Sequence, residues 1–116
     1  MLKWLTGGRN EGDANRPVFD QAQVAALDLA VVFKHSTTCP VSFAADREMR
    51  AFQAANPAVP VFKVLVREER EASQQIAKWT GVEHESPQVI VFRKGSVVSA
   101  ASHGDVTEDY LVEATR

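Results

Sequence analysis

The one thiol in this 116-residue chain lies in His35-Ser36-Thr37-Thr38-Cys39-Pro40-Val41-Ser42. Ahead of it, residues 29–33 form an apolar run that reads as a buried strand. Behind it, residues 40–56 carry helical spacing. A cysteine on such a strand-to-helix turn is placed for thiol–disulfide exchange. The free N–H groups and the positive dipole end of a helix N-terminus both stabilise a thiolate. Pro40 suits the first helical position, where a missing N–H costs nothing. Cys39 is then expected at or next to the N-cap, with its sulfur near the N–H groups of Val41 and Ser42. Pro40, Ser42 and Thr38 are the supporting residues. Ser42 stands where a Cys-x-x-Cys motif carries its second cysteine. A hydroxyl does not attack a disulfide, although it can donate a hydrogen bond to a thiolate. The same spacing also suits a buried, inert cysteine, a common fate of free cysteines. The motif alone does not choose between them.

The elements that must hold this turn can be read in order. Asp20 is placed to cap a short helix over residues 21–27, with Val24 and Leu27 turned inward. The strand at 29–33 is apolar throughout, as in strands covered on both faces. In the helix that follows, Val41, Ala44, Ala45, Glu48, Met49 and Phe52 trace one stripe, and Asn56-Pro57 ends it. Residues 61–66 are apolar enough to form a second central strand. Arg67-Glu68-Glu69-Arg70-Glu71 reads as a solvated loop and helix start. A helix over 72–80 buries Ile76 and Trp79 and stops at Gly81. After a polar loop, strands at 88–92 and 97–101 flank the tight turn Arg93-Lys94-Gly95-Ser96. Asp105-Val106-Thr107-Glu108 has capping-box spacing and opens a last helix through residue 113. Two strands joined across a helix favour parallel pairing with a right-handed crossover. The hairpin adds antiparallel strands. The expected fold is therefore α/β, a mixed four-stranded central sheet with helices on both faces. Cys39 lies just beyond the carboxyl end of the first strand, where open α/β sheets place their sites.

Composition narrows the function. A net charge of -2 argues against a broad nucleic-acid surface. A single cysteine excludes an intrachain disulfide and any multi-cysteine metal site within one chain. The three histidines show no paired ligand spacing with it. No apolar run approaches the roughly 20 residues that span a bilayer. A reducing, cytoplasmic setting is the expectation. Residues 1–16, with Gly7-Gly8 and Asn10 to Asn15, read as a flexible leader to a single domain at 17–116.

Three blocks carry a further resemblance. They are Phe33-Lys34-His35-Ser36-Thr37-Thr38-Cys39-Pro40-Val41-Ser42, Gly81-Val82-Glu83-His84-Glu85-Ser86-Pro87-Gln88-Val89 and Ala101-Ser102-His103-Gly104-Asp105-Val106-Thr107. The layout resembles the thioredoxin fold, and the blocks resemble the YtxJ-type monothiol bacilliredoxins over roughly residues 18–113. That resemblance implies a thiol–disulfide oxidoreductase with Cys39 as its nucleophile and Ser42 at the replaced resolving position. The implied reaction takes bacillithiol off S-bacillithiolated client proteins. Bacillithiol, or another low-molecular-weight thiol, is then a co-substrate, and no cofactor is bound. Taken alone, Ser86-Pro87 reads as an ordinary trans proline leading a strand. The resemblance reverses this and implies a cis-proline opposite the cysteine. A cis bond there leaves the Ser86 backbone free to pair with an extended substrate. Bacillithiol carries malate carboxylates, so His84 and His103 in the matched blocks are candidate ligand contacts, ahead of Lys34 and His35.

Two other classes fit parts of the pattern. Monothiol glutaredoxins also end their motif in serine and carry iron–sulfur clusters, but their glycine-phenylalanine motif differs from Cys-Pro-Val-Ser. A non-catalytic thioredoxin-fold module, with Cys39 as a redox sensor, is the other.

Overall fold

Every residue from Ala30 to His35 is buried, and this makes the strand the middle of the sheet. The structure is a computed structural model that describes residues 17–116. The leader expected over residues 1–16 lies outside the described residues. The described elements are α1 (Gln21–Ala26), β1 (Ala30–His35), α2 (Pro40–Ala55), β2 (Val61–Leu65), α3 (Arg70–Thr80), β3 (Gln88–Arg93), β4 (Ser96–Ser102), a 3-10 turn (His103–Asp105) and α4 (Glu108–Ala114). The strand order is β2-β1-β3-β4, so the strand at 61–65, expected to be central, lies at an edge of the sheet and is apolar because its faces are covered by helices. β1 runs parallel to β2 and antiparallel to β3, and β3 and β4 form a hairpin.

Side chains alternate across a strand, so β1 feeds two cores. Ala30 and Val32 pack with Val24, Phe62, Val64, Ile76, Ile90 and Phe92. Val31 and Phe33 pack with Ala45, Met49, Phe52 and Leu111 on the other face. Helices α1 and α3 thus cover one face, and α2 and α4 cover the other. Phe52 is fully buried, and emptying such a site costs about 3–5 kcal/mol. Among the described residues, no helix is long and apolar enough to cross a membrane.

The local signals set most boundaries. The Asp20 carboxylate accepts from the Gln23 N–H at 3.1 Å, capping α1. Gly81 ends α3 with φ 73, a left-handed conformation that glycine adopts without steric cost. Lys94 and Gly95 turn the hairpin with φ of 51 and 81, the handedness that matches strand twist.

Three boundaries differ from expectation. β1 extends two residues past Phe33. Lys34 and His35 are polar, yet pairing with both β2 and β3 carries Lys34 into the interior. α3 begins at Arg70, inside the charge run, rather than at residue 72. The capping box at Asp105 does not form. Asp105 belongs to the 3-10 turn, closed by Val106 N–H donating to the His103 carbonyl at 3.2 Å. Thr107, itself a favoured cap residue, takes over as N-cap of α4 and accepts from Tyr110 N–H at 3.1 Å. Glu48, at the flank of the α2 stripe, accepts from Glu108 N–H at 2.8 Å and covers a second free donor.

Candidate active site

The parallel pairing of β1 and β2 decides what surrounds the thiol. Both strands end at the same edge, with His35 opposite Leu65, and Val66 N–H donating to the His35 carbonyl at 3.0 Å. The chain leaves β1 into Ser36–Cys39 and leaves β2 into Val66–Arg67, so the two turns lie side by side. Because β3 runs antiparallel, it starts at this edge. Gln88 pairs with Lys34, which brings in the segment just before it, His84 to Pro87.

Cys39 is the N-cap of α2, with extended backbone angles (φ -110, ψ 122) and Pro40 at the first helical position. It is partly exposed. Its turn is held by hydroxyls. Ser36 and Thr38 share a side-chain hydrogen bond of 3.2 Å, and Thr38 N–H donates to Ser36 Oγ at 3.4 Å. Ser42 is fully buried, and its Oγ accepts from the Ser36 N–H at 3.2 Å. Cys39 makes no side-chain cap hydrogen bond to α2. A neutral thiol is a weak acceptor. The replaced resolving position therefore acts first as a structural pin, tying the helix to the start of the turn.

The second block is placed beside this turn. The Ser86–Pro87 peptide is cis, and Pro87 is buried. His103 N–H donates to the Pro87 carbonyl at 2.8 Å, and its Nε2 lies 2.5 Å from Glu85 Oε1. The third block is thus tied directly to the second. His84 is held elsewhere. Its Nδ1 lies 3.1 Å from Lys34 Nζ and 3.1 Å from Ser73 Oγ. A protonated lysine has only donors, so Nδ1 accepts and neutral His84 carries its proton on Nε2. Burial, and then the Lys34 charge, hold His84 below the usual histidine range, against an opposing pull from Glu85. The structure therefore gives the two candidate histidines separate partners on separate elements.

Lys34 and His35 are corrected as ligand contacts. Lys34 is 0% exposed, and burial lowers its amine from 10.5 to about 8. His35 is 3% exposed and packs between the rings of Phe33 and Phe43. Both lie inside the protein.

Arg67 and Arg70, read as part of a solvated run, are exposed and also stand at this edge. Arg67 Nη1 donates to Thr38 Oγ1 at 3.3 Å. Both arginines line a cleft of about 490 Å³ with Val66, Ser73, Gln74 and His84. The missed signal was topological. Once β1 and β2 are parallel, the residue two past the end of β2 must lie near the cysteine turn. Among the described residues, no group of three His, Cys, Asp or Glu is placed to hold a metal.

The family of monothiol bacilliredoxin BrxC matches residues 18–111. The chain belongs to the monothiol bacilliredoxin family. The solved structures agree in fold. One, provisionally described as an oxidoreductase with a thioredoxin fold, is 35% identical with a TM-score of 0.77, covering 82% of this chain and 85% of that one. Trxlp from Edwardsiella tarda EIB202 is 27% identical, with a TM-score of 0.67 and coverage of 86% and 96%. Desulfothioredoxin from Desulfovibrio vulgaris Hildenborough is 25% identical, with a TM-score of 0.64 and coverage of 83% and 86%. Membership and fold together make this chain a thiol oxidoreductase of the thioredoxin class.

Proposed function

We propose that the protein removes bacillithiol from mixed disulfides on client proteins, through Cys39. The observation that carries this reading is the lone, partly exposed Cys39 at the N-cap of α2, with Ser42 where a resolving thiol would stand. The Cys39 thiolate attacks the bacillithiol sulfur. The Cys39–bacillithiol S–S bond forms, the old S–S bond breaks, and the client leaves as a thiolate that takes up a proton. Cys39 is oxidised and the client sulfur is reduced. Ser42 cannot complete the cycle, because a hydroxyl is no nucleophile toward sulfur and this one is engaged by Ser36 N–H. An external thiol must attack the adduct, returning Cys39 as thiolate and releasing a low-molecular-weight disulfide. The Ser86 backbone ahead of Pro87 offers an edge on which an extended client segment can pair. The setting such an exchange needs is the reducing cytoplasm.

The test mixes the reduced protein with a client bearing one bacillithiolated cysteine and follows both intact masses. One bacillithiol should leave the client and appear on Cys39, and the adduct should persist until thiol is added. Cys39→Ser should transfer none above the uncatalysed rate while keeping its fold. Client release by the Cys39→Ser protein would overturn the assignment.

A further inference from the structure

The cleft beside the cysteine turn has a chemistry of its own. Its wall carries Arg67 and Arg70, with His84 at one side. Behind His84 lies the buried Lys34 amine at 3.1 Å. Two cations and a nitrogen base thus line one concave space, with the lysine buried behind them. Neither arginine is ion-paired among the described residues. Two of the three neighbouring acids are engaged elsewhere. Glu69 Oε1 accepts from the Leu65 N–H at 2.8 Å. Glu71 lines a different hollow, between α3 and α1, with Phe19 and Gln21. Both arginines of the charge run stand at the cleft. Arg67 also bonds Thr38, the neighbour of Cys39, so the cleft adjoins the turn that carries the thiol. A volume of about 490 Å³ lies in the range of small-molecule sites.

We propose that this cleft holds the anionic end of the low-molecular-weight thiol, through Arg67 and Arg70, while that thiol's sulfur is exchanged at Cys39. The inference rests on the exchange reaction proposed above and adds what selects the thiol. A guanidinium matches carboxylate and phosphate oxygens in bidentate geometry. Ser73 and Gln74 line the cleft with neutral polar groups. His84, kept neutral and with its proton on Nε2, adds a donor without adding charge. The cleft recognises an anion on the thiol, and a neutral thiol of the same reactivity gains nothing from it.

The experiment compares mixed disulfides of one reporter peptide with three thiols: mercaptosuccinate, coenzyme A and 2-mercaptoethanol. The rate with each anionic disulfide is divided by the rate with the neutral one, each corrected for the intrinsic reactivity of its thiol. In wild type the ratio should exceed one at low salt and shrink as salt is raised. Arg67→Ala with Arg70→Ala together should lower it about tenfold, as for two part-exposed charge-assisted contacts of about threefold each. Arg67→Lys should retain part of it. A ratio raised only for mercaptosuccinate assigns the cleft to carboxylates, and one raised only for coenzyme A assigns it to phosphates. A wild-type ratio of one, or one untouched in the double variant, overturns the cleft while leaving exchange at Cys39 standing. Absence of protein-dependent exchange with all three disulfides overturns both.

Discussion

Lys34 gives the sharpest physical test of this structure. It sits on the central strand, 0% exposed, with its amine 3.1 Å from a neutral histidine nitrogen rather than from a carboxylate. Burial disfavours the charged form and lowers it from 10.5 to about 8. At about 1.4 kcal/mol for each tenfold, that depression means the folded state gives up roughly 3 kcal/mol below pH 8. The unfolded chain keeps the lysine near 10.5. Between pH 8 and 10.5 the unfolded state therefore binds more protons, so this group makes stability rise with pH across that window. Lys34→Met keeps an unbranched stem and removes the charge. It also loses the hydrogen bond to His84, worth about 1 kcal/mol.

The variant should thus be more stable than wild type by about 2 kcal/mol at pH 7. Near pH 11.5 it should be less stable by about 1 kcal/mol, because the wild-type amine is then almost wholly neutral in both states and only the lost bond remains. Guanidinium unfolding followed by tryptophan fluorescence reads this, since Trp79 stacks on Phe92 at 5.0 Å in the core. Burial raises Tyr110 above its ordinary value, which opposes stability above pH 10, but it does so in both proteins and cancels in the difference. A variant destabilised equally at pH 7 and pH 10 would refute the reasoning, because Lys34 would then not be a desolvated cation.

Other substitutions test the site's frame. Ser42→Ala should lower stability by about 1–2 kcal/mol, because it removes the partner of the Ser36 N–H; an unchanged unfolding midpoint would show that Ser42 does not pin the turn. Thr107→Ala should cost about 1 kcal/mol through the lost cap on α4, whereas Asp105→Ala should cost little. Equal effects of the last two in thermal unfolding would restore the capping box at Asp105.

The apolar runs and their punctuation carried most of the fold. Residues 30–33, and 61–65 apart from Lys63, are apolar because the sheet is covered on both faces, and that pattern survives without knowledge of the neighbours. Asp20, Pro40 and Gly81 act within one turn of themselves, so their effects were legible locally. The cap of α4 was not. Asp105 and Thr107 are both good cap residues two positions apart, and tertiary contacts chose between them: the 3-10 turn consumes the first, and Glu48 from α2 completes the second. The cysteine turn was legible as a candidate because a strand, a lone thiol and a proline stand in sequence. That Ser42 accepts from the Ser36 N–H depends on the curl of the turn, which no residue type announces.

The remaining miss falls at the same corner. Lys34 ended the strand on paper because a lysine breaks an apolar run. That judgement treats charge as a marker of exposure, which is sound for isolated side chains. Here the sheet overrides it. Arg67 and Arg70 were assigned to solvent and both are exposed; what their run did not announce is their place beside the cysteine turn. The register carries Lys34 inward between β2 and β3, and the parallel pairing sets the arginines beside the turn that β1 feeds. Local rules break where a sequence gives up stability for another purpose. A desolvated lysine that costs roughly 3 kcal/mol at neutral pH, held against the histidine that walls the cleft, is such a break. It stands behind the cleft from which Arg67 reaches the neighbour of Cys39.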